Sequence, residues 1–186
     1  MTLEKIHKPY YEPTKNIRAQ VESGSRRRGK NPVIFLFAKL KNFILVQLAY
    51  NCPFNSLRIK FHRWRGVHIG NNVMIGLKVT LDHSYPEMVF IEDEVSLAGN
   101  NYILTHSNPY AHFAPILESF TAPVIIKKGA WLGIGAIVLP EVTIGEYSII
   151  GAGSVVTKSI QAKVVAGGIP AKVIKDFSDH EAFKNL

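Results

Sequence analysis

Ile126-Lys127-Lys128-Gly129-Ala130-Trp131-Leu132-Gly133-Ile134-Gly135-Ala136-Ile137-Val138-Leu139-Pro140-Glu141-Val142-Thr143-Ile144-Gly145-Glu146-Tyr147-Ser148-Ile149-Ile150-Gly151-Ala152-Gly153-Ser154-Val155-Val156 carries an aliphatic residue at every sixth position. Those positions are Ile126, Leu132, Val138, Ile144, Ile150 and Val156. Ile, Leu and Val number 20, 14 and 16 in 186 residues, so six such hits in a fixed frame would arise by chance about four times in ten thousand. The same step joins Ile91, Leu97 and Ile103, and before them Ile69, Ile75 and Leu81. Four residues after each aliphatic stands a small or β-branched side chain: Val73, Val79, Val95, Ala130, Ala136, Val142, Ser148 and Ser154. One residue after it, glycine recurs at Gly70, Gly76, Gly133, Gly145 and Gly151. Neither a 3.6 nor a 2.0 period produces this pattern. A coil of three short strands does, with every sixth side chain in a narrow core and small residues at the corners, so the chain reads as an all-β parallel β-helix.

The rest of the composition bounds the function. A chain of 186 residues, 47% hydrophobic and 19% charged, holds one packed core and a short appendage. A single cysteine, Cys52, excludes a disulfide framework or a thiolate metal cluster and fits a reducing, cytoplasmic setting. The excess of 22 Lys+Arg over 14 Asp+Glu, a net charge of +8, predicts an anionic partner. Met1–Tyr10 carries Glu4, Lys5, His7 and Lys8 with no apolar run behind them, so no secretory leader is expected. Val33–Tyr50 is strongly apolar, but Lys39, Lys41, Asn42 and Gln47 make it a poor spanning helix. A soluble or peripheral protein follows.

The texture changes near residue 66. Residues 1–66 read as a polar arm (Met1–Gln20), a basic linker (Ser23–Lys30) and an apolar helix capped by Asn31 with Pro32 in its first turn. That helix shows no single polar face, so it is expected to be buried nearly all round, closing the open end of the coil, or to dip into a membrane interface. Residues 67–177 form the repeat domain and 178–186 a C-terminal tail.

Trp131–Ala136, Val142–Gly145, Ile150–Lys158 and Gly168–Ile174 resemble the hexapeptide-repeat O-acetyltransferases, among them the maltose, galactoside, nodulation and polysaccharide-cluster enzymes. The resemblance covers about Ile69–Phe177. It implies a left-handed coil, a homotrimer with active sites between subunits, and acetyl-CoA as donor.

The repeat breaks twice, and functional loops leave a solenoid at its breaks. Leu81 to Ile91 is ten residues instead of six, with His83-Ser84-Tyr85-Pro86 inserted. Ile103 to Ile126 is 23 residues, an excursion at about 104–123 carrying Thr105-His106-Ser107-Asn108-Pro109 and His112. The resemblance makes His106 the general base, and neutral imidazole has the pKa to take a hydroxyl proton. It makes Glu118 a candidate for the acceptor site, although the residues between differ and the following proline, Pro123, sits one place late. Asp82, His83 and Tyr85 are candidates to meet the acceptor's hydroxyls. The resemblance assigns coenzyme A contacts to Ala98, Ile134, Gly135, Ala152, Thr157, Lys158, Lys172 and Lys175. Ile134 replaces a small polar residue there, and lysines replace arginines, giving point charges in place of bidentate forks. Val164–Lys175 is expected to close the end of the prism and border the donor groove.

Two other readings compete. A γ-carbonic-anhydrase-like zinc site could draw on His83, His106 and His112, but the steps of 23 and 6 do not match that family's spacing, and no metal is expected. Nucleic-acid binding could draw on Ser25–Lys30 with Arg58, Lys60, Arg63 and Arg65, but no recognised module accompanies them. His7, His62, His68 and His180 read as surface residues. The acceptor reads as a sugar hydroxyl on a surface-polysaccharide precursor, with antibiotic or amino-sugar acceptors as alternatives.

Overall fold

Inward-pointing rung residues stack into three columns in the computed structural model, which describes residues 4–11 and 16–181. One face joins His68–Ile69, Val89–Ile91, Val124–Ile126 and Thr143–Ile144 in parallel. The second joins Met74–Ile75, Ser96–Leu97, Trp131–Leu132, Ile149–Ile150 and Val164–Gly168, and the antiparallel strand Ala171–Asp176 extends it. The third joins Thr80–Leu81, Tyr102–Ile103, Ile137–Val138 and Val155–Val156. Ile75, Leu97, Leu132 and Ile150 therefore lie on one another, each fully buried. Each such burial contributes about 1.5–3 kcal/mol, so the repeat stabilises itself rung by rung.

The corners follow the same arithmetic. Three residues after each rung the backbone turns left-handed, at Asn72, Lys78, Glu94, Asn100, Gly129, Gly135, Glu141, Tyr147 and Gly153. Glycine just after a rung is set by the neighbouring coil: a Cβ on Gly76 would stand 2.5 Å from the carbonyl oxygen of Ala98. The six-residue step shortens only past Val156. Ile160 bridges to Ile144, and Lys163 and Ala166 follow it at the corner and rung offsets.

Both breaks leave at the corner after the third face. The first holds a short 3-10 turn, Pro86–Met88. The second folds back as an antiparallel pair, His106–Ser107 against Phe120–Thr121, with Ile6–His7 added beyond it.

Three helices precede the coil: α1 (Ile17–Arg28), α2 (Pro32–Asn51) and α3 (Asn55–Arg65). The expected basic linker is thus the second half of α1, and the polar arm ends within that helix. Asn16 caps α1 through the Ala19 N–H, and Gly29 ends it in a left-handed turn after three arginines, whose charge suits a helix C-terminus. The predicted caps of α2 are present, the Asn31 side chain accepting from the Val33 N–H at 2.9 Å. The expectation that α2 is buried nearly all round is overturned. Phe35, Leu45, Val46 and Ala49 are buried, while Val33, Ile34, Leu36, Phe37, Leu40, Phe43, Ile44 and Leu48 are exposed. By length and composition α2 could cross a membrane, with a mean hydropathy of 1.6 over its most apolar window.

Closure of the coil falls instead to α3. In a parallel coil the first turn presents rung carbonyls with no preceding turn to bond them. Arg63 donates to the Ile69 carbonyl at 3.0 Å, Arg58 to that of Ile75 at 2.8 Å and Arg65 to that of Leu81 at 3.0 Å. The Asn55 side chain adds bonds to the Val73 carbonyl and the Ile75 N–H. Of the bases that suggested nucleic-acid binding, Arg58, Arg63 and Arg65 are therefore committed to the coil's edge. His62, expected at the surface, is buried beside Arg65, and burial first, then the Arg65 and Arg58 charges, pull its pKa down to about 3. The C-terminal tail lies outside the described residues from 182 onward, as do positions 1–3 and 12–15 of the arm.

Candidate active site

The two breaks in the repeat converge on one hydrogen-bonded pair. His106 Nδ1 lies 2.6 Å from Asp82 Oδ2. The coil sets this meeting, because Leu81 and Ile103 are register partners and the chain leaves each rung at the same corner. Asp82 is 1% exposed and its carboxylate is saturated: Oδ1 accepts from the Ser84 and Tyr85 N–H groups, and Oδ2 from the Thr105 N–H as well as His106. Burial alone would raise its pKa. The hydrogen bond and charge of His106, with the Thr105 and Tyr85 N–H groups, outweigh burial and hold the carboxyl well below the usual carboxylate range. An ionised Asp82 fixes the proton on Nδ1, which leaves Nε2 as the ring's open acceptor.

Asp82 was expected to meet the acceptor, but its carboxylate holds His106. Tyr85 is also buried, its ring 5.5 Å from that of His106 and beneath the Arg28 guanidinium at 4.3 Å. His83 is the member of this loop that projects outward. Its carbonyl accepts from the Asn42 amide of α2, and burial with the nearby Arg65 charge lowers its pKa. Glu118 is exposed and ion-paired with Lys5 at 2.7 Å, which holds its pKa below the ordinary value. His112 stacks on Tyr110 and lies tilted against Phe113, and among the described residues no three His, Cys, Asp or Glu side chains gather as a metal-ligand group.

The residues assigned to the donor lie along the outside of the coil. Ala98, Ile134 with Gly135, and Ala152 occupy successive turns of one corner, tied by the Gly135 N–H to the Gly99 carbonyl at 3.0 Å and the Gly153 N–H to that of Ile134 at 2.9 Å. Thr157 and Lys158 follow the last strand of the third face, and Lys172 and Lys175 lie on the terminal antiparallel strand. Ile134, Ala152, Thr157 and the three lysines are exposed. Small residues on the corner and unhindered cations beyond it fit a long ligand carrying phosphates.

Sequence reasoning missed the N-terminal wall. Arg27 donates to the Asn108 side chain, Arg28 covers Tyr85, and Arg65 donates to the Asp82 carbonyl at 2.7 Å. The Arg26–Arg28 run was visible, but nothing in its spacing said that it folds over the break at Asp82.

Comparison with known proteins agrees with this architecture. The bacterial transferase hexapeptide (six repeats) family matches residues 123–158. The galactoside O-acetyltransferase of Escherichia coli K12 is 35% identical over 66% of this chain and 60% of its own length. The putative colanic acid biosynthesis acetyltransferase WcaF of the same organism is 30% identical over 62% of this chain and 76% of its own length. A crystal structure of a maltose O-acetyltransferase from Clostridium difficile 630 superposes with a TM-score of 0.59 at 29% identity, covering 76% of this chain and 87% of that one. The chain spans about half to three fifths of the length of several curated relatives it matches. The fold is a left-handed parallel β-helix with an N-terminal helical segment, and the chain belongs to the hexapeptide-repeat acetyltransferases.

Proposed function

We propose that the protein transfers an acetyl group from acetyl-CoA to a sugar hydroxyl of a polysaccharide precursor, on the cytoplasmic side of the cell. The observation that carries this reading is the Asp82–His106 pair at 2.6 Å, a buried carboxylate behind a ring that is 23% exposed. Acetyl-CoA supplies the acetyl group as a thioester. Nε2 of His106 accepts the hydroxyl proton as the oxygen attacks the thioester carbon, and Asp82 stabilises the resulting imidazolium. The same imidazolium returns the proton to the departing thiolate, so the base is regenerated. Backbone N–H groups beside the groove stabilise the oxyanion, and transfer is direct, within a ternary complex. Cys52 takes no part: it ends α2 with its thiol against the Phe54 carbonyl.

Lys158, Lys172 and Lys175 would hold the donor's phosphates, and Ala98, Gly135 and Ala152 would admit its pantetheine arm. Met74, Tyr102, Trp131 and Ile134 expose apolar surface on the second and third faces, which supports a homotrimer completing the groove with a neighbouring copy.

Calorimetry with acetyl-CoA, followed by turnover against a sugar panel, tests the reading. His106→Ala is expected to bind the donor as the parent does and to turn over about 10²–10⁴-fold more slowly. Absent donor binding by the parent protein overturns the acetyl-CoA assignment, and a loss below tenfold in kcat removes His106 as the base. Lys158→Ala and Lys172→Ala should weaken donor binding and make it less salt-sensitive. Unchanged affinity in both removes them from the phosphate site.

A further inference from the structure

Beside the Asp82–Glu87 break, between it and helices α1 and α2, lies a cavity of about 580 Å³. Its walls carry Arg27, Arg28, Lys30, Lys39, Lys41 and Arg65 against one acid, Glu87. Some of these cations are occupied by the fold. Arg65 is spent on the Leu81 and Asp82 carbonyls and the Asn42 side chain, and Lys41 donates to the Trp64 carbonyl at 3.1 Å. The others are not. Nε of Arg27 and Nη2 of Arg28 are buried donors with no acceptor. Arg28 makes a long ion pair with Glu87 at 3.6 Å, which leaves its Nη2 unsatisfied, and neither Lys30 nor Lys39 makes an ion pair among the described residues, Lys39 lying over the Phe35 ring. Buried guanidinium N–H groups without acceptors are costly, and several cations facing one cavity repel one another. An anion with several oxygens relieves both, and guanidinium forks match phosphate oxygens.

The cavity also adjoins the chemistry. The Arg28 guanidinium lies on the Tyr85 ring, and that ring lies beside His106, so Arg28 and the His106 imidazole are less than 10 Å apart. A sugar attached to a phosphate held by Arg27 and Arg28 would have less than 10 Å to span, past the buried Tyr85 ring, to bring a hydroxyl to His106. The lysines of the donor groove lie on the far strands of the coil, so this cluster is separate from them.

We propose that this cavity is an acceptor subsite for a phosphate or diphosphate group, so that the enzyme acetylates a phosphorylated sugar and not a free glycoside. The inference rests on the acetyl-transfer reading of His106 for its purpose, but the binding it predicts does not depend on turnover. The phosphate could belong to a soluble sugar phosphate or to a lipid-linked sugar whose chain runs along the exposed apolar face of α2.

The test is calorimetry of inorganic pyrophosphate on the protein saturated with coenzyme A, which keeps the donor's own phosphate groups out of the titration. Pyrophosphate is expected to bind, at least tenfold more weakly in Arg27→Gln and in Lys39→Gln, and undiminished in Lys60→Gln, an exposed lysine outside the cavity. Lys39 takes no part in the coil or its capping bonds, so Lys39→Gln keeps the test valid if Arg27→Gln fails to fold. Farnesyl diphosphate binding at least tenfold more tightly than pyrophosphate assigns the phosphate to a lipid-linked acceptor, and equal affinities assign it to a soluble one. No pyrophosphate or farnesyl diphosphate binding, or binding that ignores both cavity variants, overturns the proposal. Failure of acetyl transfer with pyrophosphate binding intact would instead overturn the catalytic reading and leave the subsite standing.

Discussion

The coil and the helical layer beneath it are both rich in Ile, Leu, Val and Phe, and they dispose of those side chains in opposite ways. In the coil, Ile75, Leu97, Leu132 and Ile150 are fully buried, because each turn meets another turn of the same shape. In α2, Phe37 is 67% exposed, Ile34 63% and Phe43 61%, because the helix packs on α1 and α3 along one flank and is left exposed along the other. A repeat specifies its own partner, whereas a lone helix has its partner set from outside. Burial in the coil is therefore a property of the sequence period, and burial of the exposed face of α2 would need a partner that the single chain does not supply.

The two regions meet at Asp82, and the largest effect is expected there. Asp82→Asn keeps the shape but offers an N–H toward the Thr105 N–H and His106, so the imidazole loses the bond that fixes its proton on Nδ1. Turnover should fall about 10²–10⁴-fold with the KM for acetyl-CoA changed by less than about threefold. A matched loss in donor affinity would mean that Asp82 supports the groove and not the base. Within the coil, Leu132→Ala should cost about 2–5 kcal/mol in urea unfolding, since its cavity is walled by Leu97 and Ile150 and cannot collapse. A cost below about 1 kcal/mol would show that the stacked turns slide to fill the gap.

How far the sequence could be read follows the same division. The rungs, the corners and both breaks were legible because a period of six repeats its evidence at every turn. The frame is lost only after Val156, where the step to Ile160 is four residues before the six-residue step resumes at Ala166. The place of His106 at a break was legible, but its contact with the Asp82 carboxylate was not. That this carboxylate turns inward depends on four N–H and imidazole donors converging from two separate loops. The capping role of Arg58, Arg63 and Arg65 was equally hidden. Their spacing fits any charged helix, and only the unpaired carbonyls of Ile69, Ile75 and Leu81 give it meaning.

His62 makes that cap sensitive to acid. The unfolded imidazole titrates near 6.5, while the folded one stays neutral down to about 3. The contribution of this lowered pKa is complete above pH 6.5 and shrinks as pH falls, by about 1.4 kcal/mol per unit, so about 2 kcal/mol is lost by pH 5. Asp82 acts in a lower window. Its folded pKa is also depressed, so its contribution stands above about pH 4 and is lost only as pH falls further. Unfolding midpoints of the parent and His62→Gln between pH 7 and pH 5 separate the two, and the variant should lose most of the slope. A slope unchanged in the variant would place the acid sensitivity elsewhere.

The smallest effect is expected on α2, and it bears most directly on the contrast between the regions. Phe37→Ser removes a ring that touches little in the single chain, so urea unfolding should shift by no more than about 0.5 kcal/mol. A loss comparable to that of Leu132→Ala would mean that the face is covered in solution, and the natural cover is a second copy of the chain. Sedimentation of the same variant tells these apart: a changed oligomeric state accompanies loss of a self-made interface, and an unchanged state with unchanged stability leaves the apolar face free in water. In that second case the face has been kept apolar at a cost in solubility with no return in folding. Its use must then lie in something the isolated protein does not contain, and the farnesyl diphosphate titration, repeated with Phe37→Ser, would show whether that is the chain of a lipid-linked acceptor.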